Sequence, residues 1–204
     1  MSLEAFFSNA PKLAALTGAG ISAASGIPTY RNDAGEWQRS DPIQHRDFVE
    51  REEARKRYWA RSMAGWPYVA QSAPNRAHHA LAALEKSGHV SFLATQNVDG
   101  LHQRAGHEQV VDLHGRIDQV KCLDCDARLH RGELQQVLTD LNPAWSATIK
   151  AIRPDGDAEV DDHIVECMNV PGCRQCGGVL MPDVVFFGGS VPRERVDATR
   201  RAIE

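Results

Sequence analysis

The sequence predicts an α/β protein built on a parallel sheet, with a small second module inserted into it, and three observations carry that prediction. A buried strand pattern over Lys12 to Thr17 runs straight into Gly18-Ala19-Gly20 and an Ala/Ser-rich helix start, the strand-turn-helix order from which parallel sheets are made. A helix pattern opening at Asn75 is followed by a core strand over Val90 to Thr95. Two cysteine pairs, Cys122-x-x-Cys125 and Cys173-x-x-Cys176, interrupt core segments: Ile117 to Val120 leads into the first, and Val184 to Phe187 leads away from the second.

Composition bounds the function. At 204 residues, 42% hydrophobic and 25% charged, the chain can bury one good core and a satellite. A formal charge of −4 gives no reason to expect nucleic acid or an anionic membrane as ligand. The apolar runs fall far short of the roughly 20 residues a membrane helix needs, and Met1 to Ala10, a short amphipathic opening, has no basic start followed by a long apolar stretch. Four of the five cysteines sit in pairs, which suits metal thiolates in a reducing compartment, so a cytoplasmic protein is expected.

Along the chain, Asp33 to His45 is polar and punctuated by Gly35 and Pro42, so it reads as a long loop of the functional kind. Phe48, Tyr58, Trp59 and Met63 recur at helical spacing, and Gly65-Trp66-Pro67 is expected to end that helix. The Asn75 helix should bury Ala77, Ala80, Leu81 and Leu84 on one face and close at Gly88 in a left-handed conformation. A short apolar segment at Val110 to Leu113 follows. Pro192 to Glu204 reads as a helix with Val196, Thr199, Ala202 and Ile203 on one face and no cap or strand after it. A β-α-β unit needs its return strand, so the sheet domain is expected to be incomplete at its C-terminal end. The expected partition is a sheet domain over 1–44, 89–120 and 179–204, a helical part of the small module over 45–88, and its cysteine part over 121–178.

Two chemical signals stand out. Gly18, Gly20 and Ala23 fit the G-x-G-x-x-A form of the Rossmann dinucleotide turn, in which glycines let the backbone approach a pyrophosphate at a helix start. Alone it could equally be a plain tight turn. No acidic residue closes a second strand about 20 residues on, which disfavours an ordinary dehydrogenase. The cysteine pairs are stronger: two such knuckles can set Cys122, Cys125, Cys173 and Cys176 tetrahedrally about Zn²⁺, and a closed four-thiolate site is structural. The 47 residues between the pairs exceed the common spacing, so an insertion with its own helix is expected. Cys167 reads as a buried or free thiol and has no assigned role.

Longer runs carry a resemblance. Gly18-Ala19-Gly20-Ile21-Ser22-Ala23-Ala24-Ser25-Gly26-Ile27-Pro28-Thr29-Tyr30-Arg31, then Thr95-Gln96-Asn97-Val98-Asp99-Gly100-Leu101-His102, Leu113-His114-Gly115, the cysteine pairs with Gly177-Gly178, and Met181-Pro182-Asp183-Val184-Val185-Phe186-Phe187-Gly188 resemble sirtuin motifs in family order. Arg55 to Pro67 and Leu141-Asn142-Pro143-Ala144-Trp145 most resemble the class II branch, which includes the lipoamidase-type sirtuin and its bacterial relatives. The resemblance implies a Rossmann-like NAD-binding domain with an inserted zinc-ribbon and helical module. It further implies an NAD-dependent protein-lysine deacylase that consumes NAD⁺ as co-substrate, releases nicotinamide and passes the acyl group to ADP-ribose. Protein mono-ADP-ribosyl transfer is the alternative, as is a fragment with impaired NAD⁺ binding, because the family's adenine-binding loops follow the segment present here.

The same resemblance implies roles. His114 matches the family's base, and a neutral imidazole near pH 7 suits that task. Asp99 would accept a hydrogen bond from the nicotinamide amide, Asn97 would orient the ribose or a water as a second catalytic residue, and Gln96 would contact the ribose. Ile27 and Pro28 would wall the nicotinamide, Tyr30 and Arg31 would close over ribose and phosphate, and Gly18, Ala19, Gly20 and Ala23 would form the cofactor turn. Val185, Phe186, Phe187 and Gly188 resemble one side of the slot that pairs with an acyl-lysine peptide. Tyr58 and Arg61, three apart and so on one helix face, could hold the carboxylate of a malonyl, succinyl or glutaryl-type acyl group.

Overall fold

The structure is a computed structural model, and it describes residues 12–31, 34–36, 42–146, 149, 151–152 and 156–204. The opening expected over Met1 to Ala10 lies outside the described residues, as does part of the loop expected over Asp33 to His45. Strands β1 (Leu13–Thr17), β2 (Val90–Thr95) and β3 (Val110–Asp112) form a parallel sheet in the order β1-β2-β3. Thr17 pairs with Thr95 and Thr95 with Asp112, so the three strands finish level. Their carboxyl ends form one edge, the place where open α/β sheets bind ligands.

The chain leaves β1 through Gly18 into a 3-10 helix, Ala19–Ser25, closed by Gly26 at φ +84°. The helix start expected after the glycine turn is therefore of the tighter kind. Helices α1 (His45–Glu50) and α2 (Glu52–Gln71) follow, separated by an extended Arg51. Helix α3 (Arg76–Lys86) leads to β2, and a one-turn helix α4 (Leu101–Arg104) leads to β3. A second, antiparallel sheet has the order β5-β4-β8, from β4 (Gly115–Cys122), β5 (Arg128–His130) and β8 (Leu180–Val184). Between β5 and β8 lie α5 (Arg131–Leu141), the two-stranded pair β6 (Ala151–Ile152) and β7 (Ala158–Glu159), and α6 (Asp162–Glu166); α7 (Arg193–Ile203) comes last. The insertion between the cysteine pairs thus has its own helices.

Four sequence expectations are corrected. First, α2 does not end at Gly65-Trp66-Pro67 but runs through it to Gln71. Proline has no N–H to offer the carbonyl four residues back, and that carbonyl, on Met63, instead accepts from Gln135 Nε2 of α5 at 3.0 Å. Second, α3 turns His78 inward, wholly buried, with Leu81, Ala82, Leu84 and Glu85 half-buried, so Leu81 and Leu84 face inward as expected while Ala77 and Ala80 are exposed. Its cap sets that rotation. Asn75 Oδ1 accepts the Ala77 N–H at 2.9 Å, its Nδ2 donates to Ile21 O and Ser25 Oγ at 2.7 and 3.0 Å, and the Asn75 N–H donates to His78 Nδ1 at 3.3 Å. Gly88 closes the helix at φ +79° as expected. Third, α7 half-buries Arg195, Ala198, Thr199 and Ala202 against β2 and β3, leaving Val196 and Ile203 exposed. The Arg195 Nη2 bond to Asp183 Oδ2 at 3.1 Å holds this turn of the helix.

Fourth, the expected partition cuts through real units. Ile117 to Val120 and Val184 belong to the antiparallel sheet, and α3 packs on β2 of the parallel sheet and not within the small module. One core joins the rest of that module: Phe48, Trp59 and Met63 from the helices pack with Val120, Leu134, Leu138, Met168 and Met181. Helical and cysteine parts therefore form one body, stabilised by burial of these side chains at roughly 25 cal/mol per Å² of apolar surface. Asp183 stitches it to its neighbours. Burial alone would raise its carboxyl, but Arg128, Arg195 and Lys121 at 3.0, 3.1 and 3.5 Å hold it below the usual carboxylate range.

Candidate active site and metal centre

Where the level strand ends meet the small module lies a cavity of about 440 Å³. After β1 it is lined by Ala19, Ser22, Ile27, Pro28 and Tyr30; after β2 by Gln96, Asn97, Val98 and Asp99; after β3 by His114; and after β8 by Val185, Phe186, Phe187 and Gly188. Helix α2 adds Tyr58 and Val69, and the segment before β7 adds Gly156 and Asp157.

Ser22, 1% exposed, is the hub. Its Oγ donates to Asp99 Oδ2 at 2.6 Å and accepts from Asn97 Nδ2 at 3.0 Å. Asn97 Nδ2 also reaches Gly18 O at 3.1 Å, and Asp99 Oδ1 accepts the Leu101 N–H at 2.9 Å. A single hydroxyl thus fixes the Asn97 and Asp99 side chains of the β2 loop to the glycine turn of β1. Sequence reasoning missed this role, because nothing in the spacing of Ile21-Ser22-Ala23 separates a buried hub from an ordinary helix-start serine.

His114 is half-buried and its Nδ1 lies 3.0 Å from Gln96 O. A carbonyl can only accept, so Nδ1 donates, which in the neutral ring leaves the lone pair on Nε2. The backbone is equally determined. Gly115 has φ +83°, and a Cβ there would stand 1.9 Å from Asp183 O, while Val185 donates its N–H to His114 O at 2.8 Å. His114 and the Val185–Gly188 segment are consequently neighbours across one ladder.

Of the residues expected from the sequence, His114, Asn97, Gln96, Asp99, Ala19, Ile27, Pro28, Tyr30, Tyr58, Val185, Phe186, Phe187 and Gly188 line this cavity. Gly18, Gly20, Ala23 and Arg31 are outside its lining. Gly20 has nothing within 4 Å of where a Cβ would stand, the open approach a pyrophosphate needs. Phe186 is backed by Phe48 and Tyr58 at ring-centroid distances of 5.1 and 5.2 Å, and Phe187 O accepts the His45 N–H at 2.8 Å. Arg61 is the exception. It is absent from the lining, and its Nε pairs with Asp157 Oδ1 at 2.8 Å, so of the expected pair Tyr58 lines the cavity while a carboxylate of this chain holds the Arg61 guanidinium. Asp157 and Gly156 come from the insertion, where no local pattern marked them.

The four paired cysteines converge as expected. Cys122 and Cys176 sulfurs are 3.5 Å apart, those of Cys125 and Cys173 are 3.7 Å apart, and all four lie within 4.8 Å of one another. Zinc-thiolate bonds of about 2.3 Å in a tetrahedron require sulfur separations of about 3.8 Å, so the cradle fits Zn²⁺. Backbone N–H groups of Asp124, Gln175 and Gly178 point at Cys122, Cys173 and Cys176 at 3.4 Å, supporting thiolate charge. The Gly178 N–H lowers Cys176, but the crowding of Cys125 and Cys122 pushes it up to about 12; four thiols this close ionise together only around a cation. Cys167 is exposed and outside this group.

A level parallel-strand edge, a glycine turn, an imidazole at the cavity and a separate four-thiolate staple together define a nucleotide-using α/β enzyme with a structural zinc module. The Sir2 family model matches residues 18–204. An "NAD-dependent protein deacetylase" of Bordetella bronchiseptica is 50% identical over 203 residues, covering 100% of this chain and 74% of that protein. The "NAD-dependent protein deacylase Sirt4" of Drosophila melanogaster is 50% identical over 198 residues, covering 96% of this chain and 64% of that one. Among solved structures, "Sir2-p53 peptide-NAD+" superposes with a TM-score of 0.72 at 29% identity, over 100% of this chain and 70% of that one. The chain belongs to the Sir2 family.

Proposed function

We propose that this protein removes acyl groups from lysine side chains of proteins, using NAD⁺ as co-substrate. The observation that carries the reading is the meeting, in one cavity, of Gln96, Asn97, Asp99 and His114 with the Val185–Gly188 segment. Relatives at 50% identity bear that activity in their names.

Bound NAD⁺ supplies an activated sugar carbon with nicotinamide as its leaving group. Asp99, held by Ser22 and the Leu101 N–H, accepts a hydrogen bond from the nicotinamide amide, and Ile27 and Pro28 wall the ring. Asn97 orients the ribose or an ordered water, and Gln96 contacts the ribose. His114, held as the Nδ1–H tautomer by donating to Gln96 O, takes a ribose hydroxyl proton on Nε2. Gly18, Ala19, Gly20 and Ala23 admit the pyrophosphate, and Tyr30 and Arg31 close over ribose and phosphate. Val185, Phe186, Phe187 and Gly188 pair with the peptide backbone beside the lysine. Zinc on Cys122, Cys125, Cys173 and Cys176 takes no part in the reaction and holds the module that completes the cavity.

Work in the cytoplasm, on acylated proteins and not on nucleic acid or membranes, is supported by the paired thiols and the net charge of −4. Among the described residues no helix is long and apolar enough to cross a membrane.

The test is nicotinamide release from NAD⁺ with acetyl-lysine peptides, with mass spectrometry of the products. His114→Ala should lower turnover by about 10²- to 10⁴-fold with little change in melting temperature, since the side chain is only half-buried. Retained turnover removes His114 as the base; ADP-ribosylated protein as sole product replaces deacylation by ADP-ribosyl transfer.

A further inference from the structure

We propose that Asp157 is the residue that selects the acyl group, and that its pairing with Arg61 makes this a site for uncharged acyl chains and not for acidic ones. The inference rests on the deacylase reading and deepens it.

Gly156 and Asp157 come from the stretch between the two cysteine pairs, yet both are buried and both line the cavity. Their seat is built by two glycines. Gly156 has φ +67°, and a Cβ there would stand 2.9 Å from Val69 Cγ2 and 3.0 Å from Ile117 Cδ1. A Cβ on Gly65 of α2 would stand 2.3 Å from Gly156 O. Only glycine at both positions lets the segment lie this tightly across α2, and that placement brings Asp157 to Arg61 one turn earlier on the same helix.

At that point Arg61 Nε is 2.8 Å from Asp157 Oδ1 and 3.3 Å from Ala158 O. Both side chains are largely withdrawn from water, at 18% and 8% exposure. The guanidinium is therefore compensated, and among these cavity residues it is Asp157 and not Arg61 that contributes to the lining. Val69, Val98 and Ile117 make the neighbouring wall apolar. A succinyl or glutaryl carboxylate entering here meets an ion pair whose cation is already engaged and whose acidic member is the one that lines the cavity. To reach Arg61 it must displace Asp157, leaving a buried carboxylate without that partner. An acetyl or longer uncharged acyl chain faces neither penalty and gains the apolar wall. Specificity built by a repulsive element of this kind needs no contact with the favoured substrate.

The experiment uses one peptide sequence bearing acetyl-, butyryl- or succinyl-lysine. Binding is read by fluorescence anisotropy with and without NAD⁺, and kcat/KM by nicotinamide release. Wild-type protein should favour the butyryl over the succinyl peptide by about tenfold or more, and Asp157→Asn, which leaves Arg61 uncompensated, should shift the succinyl-to-butyryl ratio toward succinyl by about tenfold or more. The double variant Arg61→Gln/Asp157→Asn should lose that gain. A wild-type preference for succinyl, or a ratio in a folded Asp157→Asn protein within about twofold of wild type, overturns the proposal. If Asp157→Asn does not fold, the wild-type binding ratio alone decides. Absence of turnover on every peptide counts against the deacylase reading, while the anisotropy ratios still decide the selectivity.

Discussion

The zinc cradle and the strand-end cavity are held together by opposite means. In the cradle, each cysteine knuckle is local: two residues separate its sulfurs, and its backbone N–H groups point at its own thiolates. One cation then joins two self-made halves. The cavity has no local half. Residues after four different strands contribute to it, and they are locked to one another by individual side-chain hydrogen bonds, Ser22 to Asp99, Asn97 to Ser22 and to Gly18 O, and His114 to Gln96 O. A site of the first kind should fail all at once, and one of the second kind by degrees. Four measurements can break or sharpen that contrast.

The largest effect is expected in the cradle. Cys125→Ser should abolish stoichiometric zinc, measured by elemental analysis. Because structural zinc contributes its binding free energy to folding, the melting temperature should fall by about 10 °C or more. Cys122 and Cys173 are part of the small module's core, so the loss should spread to Trp59 and Leu134. A variant that keeps its melting temperature without zinc would show that apolar packing alone holds the module.

Acid should act on a third region, outside both the cradle and the cavity lining. Between α3, α4 and the parallel sheet, His78, His102 and His107 are buried together, with ring centroids of His78 and His102 4.8 Å apart. Burial, reinforced by the charges His78 and His107 would carry, pulls His102 down to about 4 from an ordinary 6.5. The unfolded chain then binds a proton that the folded chain refuses. Stability from this group is complete above pH 6.5 and falls by about 3 kcal/mol as pH drops to 4. Denaturant melts at fixed zinc occupancy should show that slope in wild type and a flatter one in His102→Gln; equal slopes would discount the imidazole.

Ser22→Ala sits lower on the scale. It removes one partner each from Asp99 and Asn97, costing about 1–3 kcal/mol for the groups left short. On the proposed function both groups serve the co-substrate, so the effect on KM for NAD⁺ should exceed the effect on the melting temperature. The reverse ordering would make Ser22 a core residue and not the hub of the site.

The same contrast explains what could be read in advance. Cysteine spacing, the glycine turn and the core strands are short-range patterns, and each was legible because its cause lies within a few residues. The run of α2 through Pro67 was not, since its permission comes from Gln135, far along the chain. The inward turn of His78 depends on Asn75 reaching back to Ile21. For α7, Val196 and Ile203 look like a buried face, but the Arg195 bond to Asp183 sets the rotation that leaves them exposed. The Tyr58 and Arg61 spacing did place both on one helix face. What that spacing could not contain is Asp157, ninety-six positions later, already bonded to the arginine.

The smallest predicted effect tests how far a single peripheral bond reaches into the cavity. Tyr68, 42% exposed on α2, donates its hydroxyl to Gly26 O at 2.7 Å, and Gly26 is the left-handed residue from which Ile27 and Pro28 depart. Tyr68→Phe keeps the ring and removes only that bond, so stability should drop by about 1 kcal/mol or less. If the cavity is assembled by degrees, the wall of Ile27 and Pro28 proposed for nicotinamide should loosen slightly: KM for NAD⁺ should rise about two- to threefold with kcat nearly unchanged, the signature of lost uniform binding. A change in kcat with KM constant would mean that the Gly26 turn acts on the chemical step and not on the seating of the co-substrate.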